Sequence, residues 1–148
     1  MASTYQTDYS VYVVPKEITT LADGVDTVTL LNSQVDKTFG GNGSITADNN
    51  TNITKSYTST AANTKTLTEV LGTEYNWADI NLLFVKITSA STAASPTVTI
   101  LDNTVAICDL TANSDFLLLP HPTQNGGFTF TFTKAAITIE LYVSGTVA

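Results

Sequence analysis

The chain has 148 residues, of which 43% are hydrophobic and 13% charged, and its net charge of -7 comes from 13 acidic residues against six lysines and no arginine. This length suits one domain with its own core, and the apolar fraction excludes a generally disordered chain. The acidic balance and the lack of arginine argue strongly against binding to nucleic acids or to anionic membranes.

The first half of the chain predicts short strands and polar segments. Residues 9–14 and 26–31 have the composition of strands, and glycine-rich turns separate them. Residues 1–9 are polar and can serve as an N-terminal arm. Residues 48–66 hold few apolar side chains, which predicts a long polar loop or arm. The segment 66–71 predicts either a strand or the start of a short helix.

The second half predicts strands from its period of two. Residues 128–133 alternate Phe with Thr, and residues 137–143 carry apolar side chains at every second position, so we expect these two runs to form an antiparallel hairpin. Residues 97–101 and 105–110 predict a second hairpin. The run 80–87 is apolar on both faces, which is typical of a central strand.

These strands and turns predict an all-β protein. The expected architecture is an antiparallel β-sandwich, either jelly-roll-like or Ig-like, formed by a single domain over residues 1–148. Strand order cannot be read from the sequence, so both topologies stay open.

Residue types that carry out catalysis or bind metals are scarce in the sequence. The only histidine, His121, lies between two prolines, and no Gly-x-Ser-x-Gly motif supplies a nucleophile. The only cysteine, Cys108, lies in an apolar run and predicts a small buried side chain. A calcium loop starting at Asp48 lacks glycine at its sixth position and glutamate at its twelfth. We therefore predict no enzyme, no catalytic or metal site and no cofactor.

Aromatic side chains offer one candidate interaction surface. An exposed aromatic ring can stack on a sugar, so a carbohydrate-binding module is an open alternative. Trp77 can equally close one end of the sandwich, and this second interpretation is the favoured one. The candidate surface consists of Tyr5, Tyr9, Tyr12 and Trp77.

The second half also resembles a known class of proteins. Trp77-Ala78-Asp79-Ile80 leads into the apolar run 82–88, a Ser/Thr/Ala-rich turn follows, and then come Asp115-Phe116-Leu117-Leu118-Leu119-Pro120, the Phe/Thr strand and the closing strand 137–145. This order resembles the small β-sandwich virion proteins of tailed bacteriophages, most of all head decoration (cement) proteins. The resemblance covers residues 77–148.

The resemblance implies a non-enzymatic structural protein made in the host cytoplasm and located on the capsid exterior of the virion. Its partner would be the major capsid protein, whose outer surface it would bind so as to stabilise the head. It would act as a homo-oligomer, with a trimer favoured. A tail, fibre or head-fibre component is the alternative within the virion.

Overall fold

The computed structural model describes residues 4–13, 16–20, 24, 26–30, 39–48, 51–72, 77–90, 92, 95–120, 122 and 127–147. Most of these residues lie in β-strands, and the sheets of the sandwich are antiparallel, which confirms the predicted all-β class. Contacts divide the chain into two compact units, Gln6–Thr46 and Met1–Tyr5 with Ala47–Ala148. The sequence predicted one sandwich domain over 1–148, whereas the sandwich itself lies within the second unit.

The amino-terminal unit consists of two two-stranded sheets. One pairs β1 with β4, and the other is the antiparallel pair β2–β3, in which Ile18 lies opposite Val28. Residues 4–9, predicted as part of an arm, begin β1 and pair within a sheet. The strand bounds are β1 Thr4–Val13, β2 Lys16–Thr20, β3 Asp26–Leu30 and β4 Phe39–Asp48.

The sandwich unit has two four-stranded sheets, ordered β10-β7-β12-β5 and β6-β11-β8-β9. Counted from β5 as the first strand, these orders are 6-3-8-1 and 2-7-4-5. The chain changes sheet at every connection except β8–β9, and this topology is a jelly roll, which decides between the two predicted alternatives. The elements are β5 Thr51–Thr58, β6 Asn63–Thr66, α1 Leu67–Leu71, β7 Trp77–Ser89, β8 Val98–Asp102, β9 Val105–Leu110, β10 Phe116–Pro120, β11 Phe128–Phe132 and β12 Thr138–Val147.

Two predictions about this unit are wrong. Residues 48–66 were expected to be a polar loop or arm, but 51–58 and 63–66 are strands β5 and β6, whose exposed polar side chains include those of Asn52, Thr54, Thr58, Thr64 and Thr66. Strands β11 and β12 were expected to form a hairpin, but they belong to different sheets. Each is apolar on one face only, and the two faces are buried in one core between the sheets instead of pairing edge to edge.

The core lies between the two sheets and follows the predicted alternation. Phe128, Phe130 and Phe132 are at most 1% exposed, whereas the threonines between them are half-buried. β7 lies inside its sheet between β10 and β12, as its sequence predicts, and Val85 and Ile87 are fully buried. Burial of this apolar surface is the main source of stability for the sandwich.

Helix α1 closes part of the core through three buried side chains: Leu67, Val70 and Leu71. A capping box starts it. The Glu69 amide donates to Thr66 Oγ1 at 3.2 Å, and the Thr66 amide donates to Glu69 Oε2 at 2.8 Å. Gly72 ends the helix in the left-handed conformation, at φ 71°. The bond from the Thr66 amide, and then that from Lys65 Nζ, lower the pKa of the Glu69 carboxyl to about 2.

Candidate interaction surface

The three tyrosines of the predicted surface lie on a single strand near the amino terminus. Tyr5, Tyr9 and Tyr12 all belong to β1, and the structure describes only the side chain of Tyr9. Its ring is half-buried and lies directly over Gly43 of β4, where any side chain at position 43 would collide with it. Tyr9 therefore packs across the β1–β4 pair, as aromatic rings do over strand glycines. It lines one side of a shallow depression whose other residues are polar.

Trp77 is not part of an exposed surface, which corrects its inclusion among the candidate interaction residues. Its side chain is 4% exposed and belongs to the core. It is the first residue of β7 and lies opposite Val147 at the end of β12. The favoured interpretation, in which the indole closes one end of the sandwich, is therefore confirmed. A ring buried in this way has no free face for a sugar.

The largest exposed apolar side chains of the sandwich unit lie on the edge strand β9 and the edge strand β10. Val105 is 68% exposed, Ile107 40% and Phe116 53%. β9 pairs only with β8 among the described residues, so its other edge carries unpaired backbone groups. Exposed branched apolar side chains on such an edge are typical of a protein-binding surface. We call residues 105–109 of β9 the β9 edge.

A β-bulge shapes the β9 edge. Ile100 lies opposite Cys108 and Leu101 lies opposite Ala106, so Ile107 has no partner on β8. An unpaired residue in a bulge bends its strand and redirects its own side chain, and bulges of this kind are common beside binding sites. The unpaired residue Ile107 is 40% exposed.

Carboxylates surround the β9 edge. Asp109 is exposed on β9 itself, and Asp102 ends β8 opposite Val105. Asp115 follows the turn after β9, where its Oδ2 accepts hydrogen bonds from the amides of Thr111 at 2.8 Å and Ala112 at 2.9 Å. These bonds lower the pKa of Asp115, so the carboxylate stays charged at neutral pH.

The carboxylates near the β9 edge also affect the pKa of the single thiol, that of Cys108. Cys108 is half-buried and packs against the core, close to the buried position predicted for it. Burial first, and then the charges of Asp109 and Asp115, raise the pKa of the Cys108 thiol. A raised thiol pKa disfavours the thiolate, which is the nucleophilic form.

The outer face of the sheet β10-β7-β12-β5 carries a row of aromatic side chains. The rings of Phe84 and Phe116 lie 6.0 Å apart between centroids, tilted by 33°. Tyr142 lies opposite Phe84 on β12 and donates from its hydroxyl to Asn52 Oδ1 at 3.3 Å. Phe84 and Tyr142 are half-buried, so Phe116 is the most accessible ring of this row.

The outer face of the other sheet is built from threonines. Thr131 of β11 lies opposite Thr64 on β6 and Thr99 on β8, and its hydroxyl is 2.8 Å from that of Thr64. Hydroxyl pairs of this kind stabilise neighbouring strands by roughly 0.2–1 kcal/mol. Threonine hydroxyls on this face hydrogen-bond to each other, so the face is polar, whereas the β9 edge exposes apolar side chains.

Exposure of Val105, Ile107 and Phe116 was not predicted from the sequence. Residues 105–110 were predicted as a strand and Cys108 as a small buried side chain. Four consecutive apolar residues, as at 105–108, do not reveal whether their strand lies at the edge of a sheet. The one available sign was the pair of carboxylates, Asp102 and Asp109, on either side of that run. A fully buried strand rarely carries such charges at both ends.

Among the described residues, no cluster of three or more His, Cys, Asp or Glu side chains could hold a metal ion. His121 lies outside the described residues. No helix in the described part of the chain is long and apolar enough to span a membrane. Comparisons of this chain with protein-family models, with curated proteins and with solved structures give no match.

Proposed function

We propose that this chain is a non-enzymatic virion structural protein, a capsid decoration protein that binds the outer capsid surface and stabilises the head. The resemblance of residues 77–148 to such proteins suggests the role. The jelly-roll topology is compatible with it, since this fold is common in proteins of viral shells, although fold alone does not decide function.

The observation that carries the proposal is the β9 edge. It presents exposed Val105 and Ile107 between the carboxylates of Asp102 and Asp109. An apolar centre with a charged rim is the usual organisation of a protein–protein interface. A surface of this kind suits a protein that works by binding another protein.

The partners and location follow as part of the same proposal. The partner would be the major capsid protein. A basic outer surface on that protein would complement this chain, whose net charge is -7. Binding of many copies to one lattice would multiply weak individual contacts. The protein would act as a homo-oligomer, with a trimer favoured, on the capsid exterior, and would bind neither nucleic acid nor membrane.

One observation supports a second candidate, a carbohydrate-binding module. The ring of Phe116 is 53% exposed and lies beside that of Phe84. The same outer face carries Tyr142, whose hydroxyl is bonded to Asn52. This outer face, and not Trp77, would be the platform for a sugar ring. A tail, fibre or head-fibre component remains the alternative within the virion.

The test is co-sedimentation of the purified protein with undecorated phage heads, and separately with purified tails, across a salt series. Decoration predicts saturable binding to heads at a fixed ratio per capsomer, no binding to tails, and weaker binding as salt rises. Binding to tails alone would support the tail alternative. Binding to neither, with retention on glycan beads that Phe116→Ala abolishes, would move the function to sugar recognition.

A further inference from the structure

Strand β9 lacks most of the protection that edge strands usually carry. Natural edge strands discourage pairing with other chains by lysine, proline, bulges or very short length. In this unit β5 contains Lys55, β6 has four residues and contains Lys65, and β10 ends at Pro120. β9 has six residues, no lysine and no proline, and its protection is limited to the bulge at Ile107 and one exposed charge, Asp109.

The charged residues in the stretch of chain that contains β9 are all acidic. Between Lys86 and Lys134 the chain has no lysine or arginine, and its only charged residues are Asp102, Asp109 and Asp115. Both Asp109 and Asp115 act on the Cys108 thiol, which places their fields on the strand itself. Lys86 belongs to β7 in the other sheet, and Lys65 is bound to Glu69 at 2.9 Å.

We infer that β9 is a strand-addition site for an extended, basic segment of a partner protein. The backbone of that segment would pair along the open edge of β9. Its apolar side chains would cover Val105 and Ile107, and its lysine or arginine side chains would meet Asp102 and Asp109. Main-chain pairing supplies affinity in this binding mode, and the side chains supply specificity.

Charge distinguishes this occupant from a second copy of the chain. Antiparallel pairing of β9 with β9 of another copy would bring two sets of Asp102, Asp109 and Asp115 together with no cation between them. Like charges in an interface oppose association, whereas a basic segment neutralises the same carboxylates. The inference rests on the proposed function in one respect: it names the chemistry of the capsid segment that would be bound.

The first experiment uses two labelled peptides, KTVTVTK and its acidic twin ETVTVTE, and measures fluorescence anisotropy with the full chain. The inference predicts that the basic peptide binds about tenfold or more tightly than the acidic one at low salt, and that the difference shrinks at high salt. Equal binding of the two peptides, or no binding of either, would overturn it.

Hydrogen exchange then locates the peptide. The basic peptide should slow amide exchange in Val105–Leu110 and leave Asn63–Thr66 unchanged, because β6 is the other edge of the same sheet. Slowed exchange in β6 alone would contradict the inference. Slowed exchange in β9 that depends on protein concentration and needs no peptide would assign the edge to a second copy instead.

Variants separate the edge from the rest of the surface. Val105→Lys combined with Ile107→Lys should abolish peptide binding, and Asp109→Asn, at an exposed position, should weaken it severalfold without affecting the fold. Thr64→Lys on β6 is the matched control and should bind as the wild type does. If the wild type co-sediments with heads but binds no basic peptide, strand addition is rejected while decoration stands.

Discussion

Replacing Phe130 by alanine tests the assignment of core and surface faces in β11. Phe130 is fully buried in the middle of the strand and lies opposite Ile100 on β8. Removal of a buried phenylalanine side chain costs about 3–5 kcal/mol, because apolar contacts are lost and a cavity remains. Thr131, the next residue, faces outward, and loss of its hydroxyl bond to Thr64 should cost only about 0.5–1 kcal/mol.

Urea unfolding measures both variants through one probe. Trp77 is the only tryptophan and is buried in the core, so its fluorescence reports unfolding of the sandwich unit. With a slope of about 2 kcal/mol/M, Phe130→Ala should lower the midpoint by about 2 M and Thr131→Ala by less than about 0.5 M. Equal shifts for the two variants would refute the assignment of faces, as would a larger shift for the threonine.

Three further predictions concern single residues of the same unit. Ser59→Ala removes a buried hydroxyl that accepts from the Ile137 amide at 3.0 Å, and should cost about 2 kcal/mol in urea unfolding; a cost near zero would contradict this role. Gly145→Ala should destabilise by about 1–3 kcal/mol, because a side chain there meets the backbone of Asp79; wild-type stability would show that β12 can move away. The pKa of Glu69 is lowered from 4.5 to about 2, so the stabilisation that the ionised carboxylate gives the folded state is complete above pH 4.5 and is lost as the pH falls toward 2. The difference in unfolding free energy between wild type and Glu69→Gln should therefore shrink over that pH range. A difference that stays constant with pH would contradict a stabilising role for the charge of Glu69.

Alternation in the sequence predicted the strands whose two faces differ clearly in polarity. The Phe/Thr run of β11 and the β8–β9 hairpin appear as expected, because a period of two directly reports one buried and one exposed face. The strand β5 was not predicted, because its sequence does not alternate clearly between apolar and polar residues. Its exposed polar residues Asn52, Thr54, Ser56 and Thr58 outnumber its apolar residues Ile53 and Tyr57, and pairing with β12 decides its structure.

Topology and the interaction surface could not be predicted. The pairing of β11 with β8 and β6, and not with β12, depends on long-range contacts that no local pattern encodes. Exposure of Val105 and Ile107 depends on β9 lying at the end of its sheet, which follows only from that topology. Trp77 was included in the candidate surface because it is aromatic, but its side chain is 4% exposed, whereas that of Phe116 is 53% exposed.

The most direct test of the proposed role is the rupture temperature of undecorated phage heads measured by differential scanning calorimetry. The heads are heated alone, with the wild-type protein, and with the variant that carries Val105→Lys and Ile107→Lys, all at saturating concentration. Decoration through the β9 edge predicts a higher rupture temperature with the wild type and no increase with the variant. An unchanged rupture temperature with the wild type would contradict the decoration role, and an equal increase with both proteins would contradict docking through β9.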